Sequence, residues 1–178
     1  MIPYRIGTGY DVHRLKAGRK CVLGGVEIAS DVGPDGHSDA DVLLHAITDA
    51  LLGALGEGDI GTFFPPSDPR WKDAPSEKFV RHAAALARKH GYAVGNVDAT
   101  LIAERPRIKN HVPAMRRSIA GMLGVDASQV GVKATTHEQL GAFGRGEGLA
   151  AHAVALLVRA PASPKKAKTH KAKRRIER

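Results

Sequence analysis

The 178-residue sequence predicts an α/β domain of the α+β kind: a small mixed four-stranded sheet, helices on one face of it, and a β-hairpin. Three observations carry that expectation. Strand-like and helix-like patterns follow in the order strand, hairpin, helix, helix, strand, helix, strand, strand. There is no internal repeat and no G-x-G-x-x-G between a strand and a helix, which speaks against a doubly wound sheet. The last strand, LAAHAVALLVRA, is mostly apolar on both faces, with Val154, Leu156 and Val158 on one and Ala153, Ala155 and Leu157 on the other. Such a strand is normally covered on both sides. Helices account for one side, so self-association, sheet to sheet, is expected on the other.

The elements follow in chain order. YRIGTGYDVHRL reads as a strand leading into a loop. KCVLGGVEI alternates around Gly24-Gly25, a hairpin signal. SDVGPDGH reads as a polar, Gly-rich loop. Ser38 followed by Asp41 resembles a capping box, and apolar residues at 42, 43, 44, 47, 51, 52 and 55 carry a helix to about Leu55. GEGDIGTFFPPSDPRWKDAP is a loop broken by Gly and Pro, long enough to suggest function or mobility. Ser76 opens a second helix that Gly91 closes. YAVGNVDATLIAE is a strand, AMRRSIAGMLG a third helix, VGVKATT a strand, and HEQLGAFGRGEG a Gly-rich segment before the last strand.

The hydrophobic fraction of 43% is ordinary for a globular domain, while aromatics make up only 4%. The core therefore rests on Val, Leu, Ile and Ala. The formal net charge of +9 is unevenly placed. Residues 161–178 carry eight Lys/Arg and one Glu, leaving +2 on residues 1–160. We read 1–160 as one domain and 161–178 as a basic, disordered tail, either a solvated extension or a weak, salt-sensitive contact for RNA or anionic membrane. The single cysteine, Cys21, excludes an internal disulfide and a cysteine-based zinc site. MIPYRIGTGY lacks the apolar core of a signal peptide, and no run of about 18 apolar residues occurs, so a cytoplasmic protein is expected.

Chemistry-bearing residues cluster in four places. In GYDVH, Asp11 and His13 share one face of a strand. In GHSDADVLLH, His37, Asp41 and His45 recur at spacing four, along one helix face or its entry turn. Asp11, His13 and His45 would make a three-ligand site with an open position; by spacing alone a D-x-H pair and a lone helix His are more often solvated or satisfied residues. In VKATTHEQLGAFGRGEG, Thr135 and Thr136 offer hydroxyls and Glu138 offers a hard oxygen ligand suited to Mg²⁺ or Mn²⁺. Gly141, Gly144, Gly146, Gly148 and Arg145 could cradle an anion or simply form a turn. Asp59, in DIGTFFPPSD, could bind hydroxyls or cap a turn, with Phe63 and Phe64 in the core. ATLIAERPRI ends in a turn whose backbone could read a base edge.

GYDVH, GHSDADVLLHAITDALLGALGEGDIGTFFPPSDP, NVDATLIAERPRI and VKATTHEQLGAFGRGEG, in that order, resemble the 2-C-methyl-D-erythritol 2,4-cyclodiphosphate synthase family of the non-mevalonate isoprenoid pathway, from about residue 5 to residue 159. The resemblance implies a homotrimer whose sheets face a central channel and whose active sites lie between subunits. It implies Zn²⁺ on Asp11, His13 and His45, with Asp11 and His13 also near substrate, and a second divalent ion, Mg²⁺ or Mn²⁺, on Glu138. One subunit would supply His37, Ser38, Asp59, Ile60, Gly61, Phe64 and Asp68. Its neighbour would supply a cytidine pocket from Ala103, Pro106, Arg107, Lys109, Ala134, Thr135, Thr136 and Glu138, with Phe143 and Arg145 close by. Arg145 would bind an anion or a neighbouring subunit. The implied substrate is 4-diphosphocytidyl-2-C-methyl-D-erythritol 2-phosphate. Its 2-phosphate attacks the β-phosphorus, a cyclic diphosphate forms and CMP leaves. His37 and Thr136 would donate hydrogen bonds where charge grows.

Two positions depart from the family pattern: Pro66 stands where an acidic residue is usual, and Ala142, followed by Phe143, where a Phe is usual. Neither removes a ligand. No cytidylyltransferase segment accompanies the motifs, so one activity is expected. Two other classes fit less well. A zinc hydrolase would share the metal trio but needs a base-bearing motif such as H-E-x-x-H, which is absent. A nucleic-acid module would need basicity in the body and an aromatic platform.

Overall fold

The computed structural model describes residues 2–160; the basic tail at 161–178 lies outside them. The first strand, β1 (Tyr4–Ala17), sets the geometry of the rest. Its odd positions turn toward the helices, and two of them are glycine. A Cβ at Gly7 would lie 2.0 Å from the Ala50 carbonyl oxygen, and one at Gly9 would lie 2.0 Å from that of Ala46. These glycines let a helix backbone lie directly on the strand, which other residues would hold away.

A hairpin follows, β2 (Cys21–Leu23) and β3 (Val26–Ile28). It turns at Gly24 and Gly25, both with positive φ, as the sequence led us to expect. It forms its own two-stranded sheet. The next segment, read as loop, is instead a short edge strand, β4 (Val32–Asp35), antiparallel to Arg14–Ala17 of β1. Its Gly33 and Pro34 give it little strand propensity of its own; pairing with the end of β1 imposes the conformation. The main sheet therefore has five strands, not four.

The helix α1 (Val42–Leu55) starts at Asp41, whose carboxylate accepts the Leu44 N–H at 3.1 Å, and ends at Gly56 in the left-handed region. The expected Ser38 capping box is absent, because the Ser38 hydroxyl is engaged by His45 and the Ala40 N–H. Every residue of α1 except Asp49 and Gly53 is buried. The long loop after it contains a short helix, α2 (Ile60–Phe63), and a 3₁₀ turn at Pro69–Trp71. The helix α3 (Glu77–Lys89) buries Phe79, Val80, Ala83, Ala84 and Ala87 along one stripe.

The strand β5 (Tyr92–Ile102), the helix α4 (Val112–Leu123), the strand β6 (Val130–Thr135), a single turn α5 (Gly141–Gly144) and the strand β7 (Gly148–Arg159) complete the chain. The strand order is β4-β1-β7-β5-β6, with β5 and β6 parallel and the other pairs antiparallel. Helix α1 packs on β1 and β7, α3 packs on α1 and β5, and α4 packs on β6. One face of the sheet is thus covered by helices. The opposite face is open within one chain: Ile6 is 71% exposed, Tyr10 55% and Val12 48%. On β7 the helix side is buried, whereas His152 and Val154 are exposed and Leu156 and Val158 partly so.

Candidate active site

Because β1 alternates, Asp11 and His13 face the helices together. Because Gly7 and Gly9 let α1 lie close, His45 in its first turn reaches them. The three donor atoms converge. His45 Nδ1 lies 2.8 Å from Asp11 Oδ2, His13 Nε2 lies 3.0 Å from the same oxygen, and the two nitrogens are 3.2 Å apart. Among the described residues this is the one group of three such ligands within reach of a single ion. A tetrahedral ion with bonds of about 2.0–2.1 Å needs donors about 3.3 Å apart, so the trio fits a divalent cation with small adjustment. Burial alone would raise the Asp11 carboxyl, but hydrogen bonds from His13 and His45 and their charge outweigh it and hold the group well below the usual carboxylate range. It is therefore available as a charged ligand.

The trio opens onto a cavity of about 360 Å³. His37, Ser38, Asp59, Ile60, Gly61 and Phe64 line it. Pro66, Trp71 and Phe79 also line it. Asp59 caps α2, accepting from the backbone N–H and hydroxyl of Thr62, both at 2.9 Å; the hydroxyl, then the N–H, hold its pKa low. Asp49 on α1 was not foreseen. It accepts the Ile60 N–H at 2.8 Å and so ties the loop wall to the helix that carries His45. Burial raises its pKa. The signal was present, since Asp49 stands four residues after His45 on the same face. Asp41, read with His37 and His45 as one polar face, turns elsewhere: its oxygens accept Gly24 N–H at 2.9 Å and Gly25 N–H at 2.7 Å, locking the hairpin to α1. Asp68 does not line this cavity; it pairs with the Arg70 guanidinium at 2.6 Å and caps the 3₁₀ turn.

A second cavity, about 230 Å³, lies at the C-terminal ends of the parallel strands β5 and β6. Ala103, Pro106, Arg107, Lys109, Ala134, Thr135 and Thr136 line it. Glu138 stands beside it, its Oε1 accepting the Thr136 hydroxyl at 3.1 Å. Glu104, which the sequence reading passed over, accepts the backbone N–H groups of His137 and Gln139 and shapes this loop. Phe143 lies in a third, shallower recess with His13, Ala142 and Gly148. The glycines after Glu138 differ: Gly141 faces open space, whereas a Cβ at Gly144 would meet Gln139 backbone at 2.1 Å, so this glycine serves close packing. Arg145 is paired with Glu147 at 2.6 Å.

The two cavities sit at the same end of the sheet. Asp11, Ala151, Leu101 and Ala134 form one row across β1, β7, β5 and β6. Three strand spacings separate its ends, about 14 Å.

Comparison with known proteins places this geometry. A model of the YgbB family matches residues 4–158. The chain belongs to that family. Among curated proteins, it is 61% identical over 155 residues to the 2-C-methyl-D-erythritol 2,4-cyclodiphosphate synthase of Geotalea daltonii, covering 87% of this chain and 91% of that one. It is 57% identical over 159 residues to the bifunctional enzyme IspD/IspF of Erythrobacter litoralis, covering 89% of this chain and 41% of that one. Among solved structures, the CDP complex of Plasmodium falciparum IspF matches with a TM-score of 0.79 at 40% identity, over 89% of this chain and 97% of that one. Among the described residues no helix is long and apolar enough to cross a membrane.

Proposed function

We propose that this chain is a 2-C-methyl-D-erythritol 2,4-cyclodiphosphate synthase that converts 4-diphosphocytidyl-2-C-methyl-D-erythritol 2-phosphate to the cyclic diphosphate and CMP. The observation that carries the reading is the Asp11–His13–His45 trio facing the cavity under the 59–64 loop, in a chain 61% identical to a synthase of this name.

The substrate's 2-phosphate is already anionic, so attack needs orientation and charge neutralisation rather than a general base. One of its oxygens forms a bond to the β-phosphorus; the bond from that phosphorus to the bridging oxygen breaks, and CMP leaves with the oxygen. Asp11, His13 and His45 would hold a Zn²⁺ ion and Glu138 a Mg²⁺ or Mn²⁺ ion, which would supply Lewis-acid neutralisation of the diphosphate. Asp59 and the Gly61 backbone hold the erythritol hydroxyls, with Ile60 and Phe64 closing the wall. His37, exposed at the cavity rim, and Thr136 donate hydrogen bonds to phosphate oxygens as charge builds on them. The 103–109 turn and residues 134–136 receive the cytidine.

His37 and Thr136 lie in different cavities of one chain. Groups that act on one phosphorus must lie within a few ångströms of it, and the row from Asp11 to Ala134 is about 14 Å long. The reading therefore joins the first cavity of one subunit to the second cavity of its neighbour. The open apolar face of β1 and β7 supports the association, as a homotrimer with sheets facing a central channel. A phosphorus NMR time course with the diphosphocytidyl substrate and Mg²⁺, with and without chelator, tests the reading. CMP and a cyclic diphosphate, both lost on chelation, are expected. CMP with a linear product would mean hydrolysis and overturn it.

A further inference from the structure

His45 offers its two ring nitrogens to two different surroundings. Nδ1 faces Asp11 and His13. Nε2 points the other way, 2.8 Å from the Ser76 hydroxyl and 3.0 Å from the Ser38 hydroxyl. Ser76 is fully buried at the start of α3, and its hydroxyl also makes a short hydrogen bond to Asp39 Oδ1. The other Asp39 oxygen accepts the Ser76 backbone N–H at 3.0 Å.

The directions of these bonds follow from the chemistry of the groups. A carboxylate has no proton to give, so the Ser76 hydroxyl donates to Asp39. That hydroxyl has one hydrogen, so toward His45 it can only accept. Nε2 of His45 must then donate to Ser76; Nδ1 lies 2.8 Å from Asp11 Oδ2, and once a metal ion takes the place of that contact the ring's remaining proton is the one on Nε2 and the Nδ1 lone pair faces the trio. A metal-ligating imidazole needs that tautomer. We propose that Asp39 and Ser76 are positioning residues, a carboxylate–hydroxyl–imidazole chain that holds the His45 ring through Nε2 in the orientation that turns Nδ1 to a metal ion. The proposal rests on the metal reading of the Asp11–His13–His45 trio. It also gives the serine before α3 a role other than capping: its side chain makes no cap hydrogen bond.

An isosteric change weakens the chain. Asp39→Asn has a single oxygen for three donors, the Ser76 N–H, the Ser76 hydroxyl and the Asp41 N–H, and its NH₂ must face at least one of them. Ser76→Ala removes the chain, and Ser76→Thr keeps the hydroxyl.

The test uses the full chain stripped of metal, with Zn²⁺ as the probe. Affinity is read by competition with a chromophoric chelator, and the Nε2 proton by nitrogen–proton NMR of the His45 ring in the Zn²⁺-loaded protein. The wild-type Nε2–H is expected to be held by Ser76 and slow to exchange. Ser76→Ala is expected to lose 10- to 100-fold in Zn²⁺ affinity and to exchange this proton faster. Asp39→Asn is expected to lose affinity in the same direction, while Ser76→Thr recovers most of it. A wild-type Nε2–H that exchanges as fast as that of Ser76→Ala would overturn the proposal. So would Asp39→Asn and Ser76→Ala proteins that bind Zn²⁺ like wild type. Wild-type protein that binds no Zn²⁺ would overturn the metal reading itself, and the proposal with it.

Discussion

The two cavities of this chain are built to different standards. In the first, Asp11, His13 and His45 are partly or fully buried and hydrogen-bonded to one another, Ser38 and Ser76 brace His45, and Asp49 ties the loop wall to α1. In the second, Thr135, Thr136 and Glu138 are all exposed, and the side-chain bonds that shape their loop run mainly through Glu104. A buried, cross-braced group is held in place before any ligand arrives, whereas an exposed one gains its environment from whatever covers it. On the proposed reading, the contrast teaches that one chain would finish its metal-binding half alone and leave its nucleotide-binding half to be roofed by another surface.

The sharpest way to break that contrast is at its finished half. His45→Ala should abolish bound zinc and lower kcat by about 10³-fold or more, since Lewis-acid stabilisation amounts to several kcal/mol. The oligomer should persist, because His45 lies away from the open sheet face. Metal analysis and light scattering on the same sample check both points. A charge on the open face should break the roof instead. Ile6→Glu should give monomers that still bind zinc but turn over at least about 100-fold more slowly, because monomers lack the covering surface. Within the second cavity, Glu138→Gln should cost about 100-fold in kcat with zinc content unchanged, read from steady-state kinetics across Mg²⁺ concentration.

The smallest expected effect concerns Asp41. Burial pushes its carboxyl up to about 6, against the hydrogen bonds from Gly25 and Gly24. The ordinary value is near 4. Between the two, the folded chain binds more protons than the unfolded one, so this group's contribution to stability falls as pH rises from about 4 to about 6. The stability of wild type relative to Asp41→Asn should drop over that window by on the order of 2 kcal/mol. Urea titrations at several pH values measure it; a difference that rises with pH would contradict the assignment.

Much of this was legible in the sequence where local rules decide. The D-x-H pair shares a face because strands alternate, and Gly24-Gly25 made the hairpin it announced. The rest depended on contacts distant along the chain. β4 is a strand because β1 offers it partners, not because Val32–Asp35 favours one. The spacing-four reading of His37, Asp41 and His45 overreached, since α1 begins only after Asp41; Asp49 is the residue that continues the face. Asp39 and Ser76 meet across 37 positions, which no pattern in either stretch reveals. Asp68 sits near the cavity loop in sequence, but Arg70, two residues on, holds it.

The most direct test of the account is subunit complementation. His45→Ala lacks the first half-site and Glu138→Gln weakens the second. If each active site joins the first cavity of one subunit to the second cavity of its neighbour, unfolding and refolding an equal mixture should assemble some sites from two intact halves. Random trimers should recover about a quarter of wild-type activity from two poorly active parents. Activity no higher than the average of the parents, in mixed trimers verified by mass, would mean that each chain acts alone and would contradict the account.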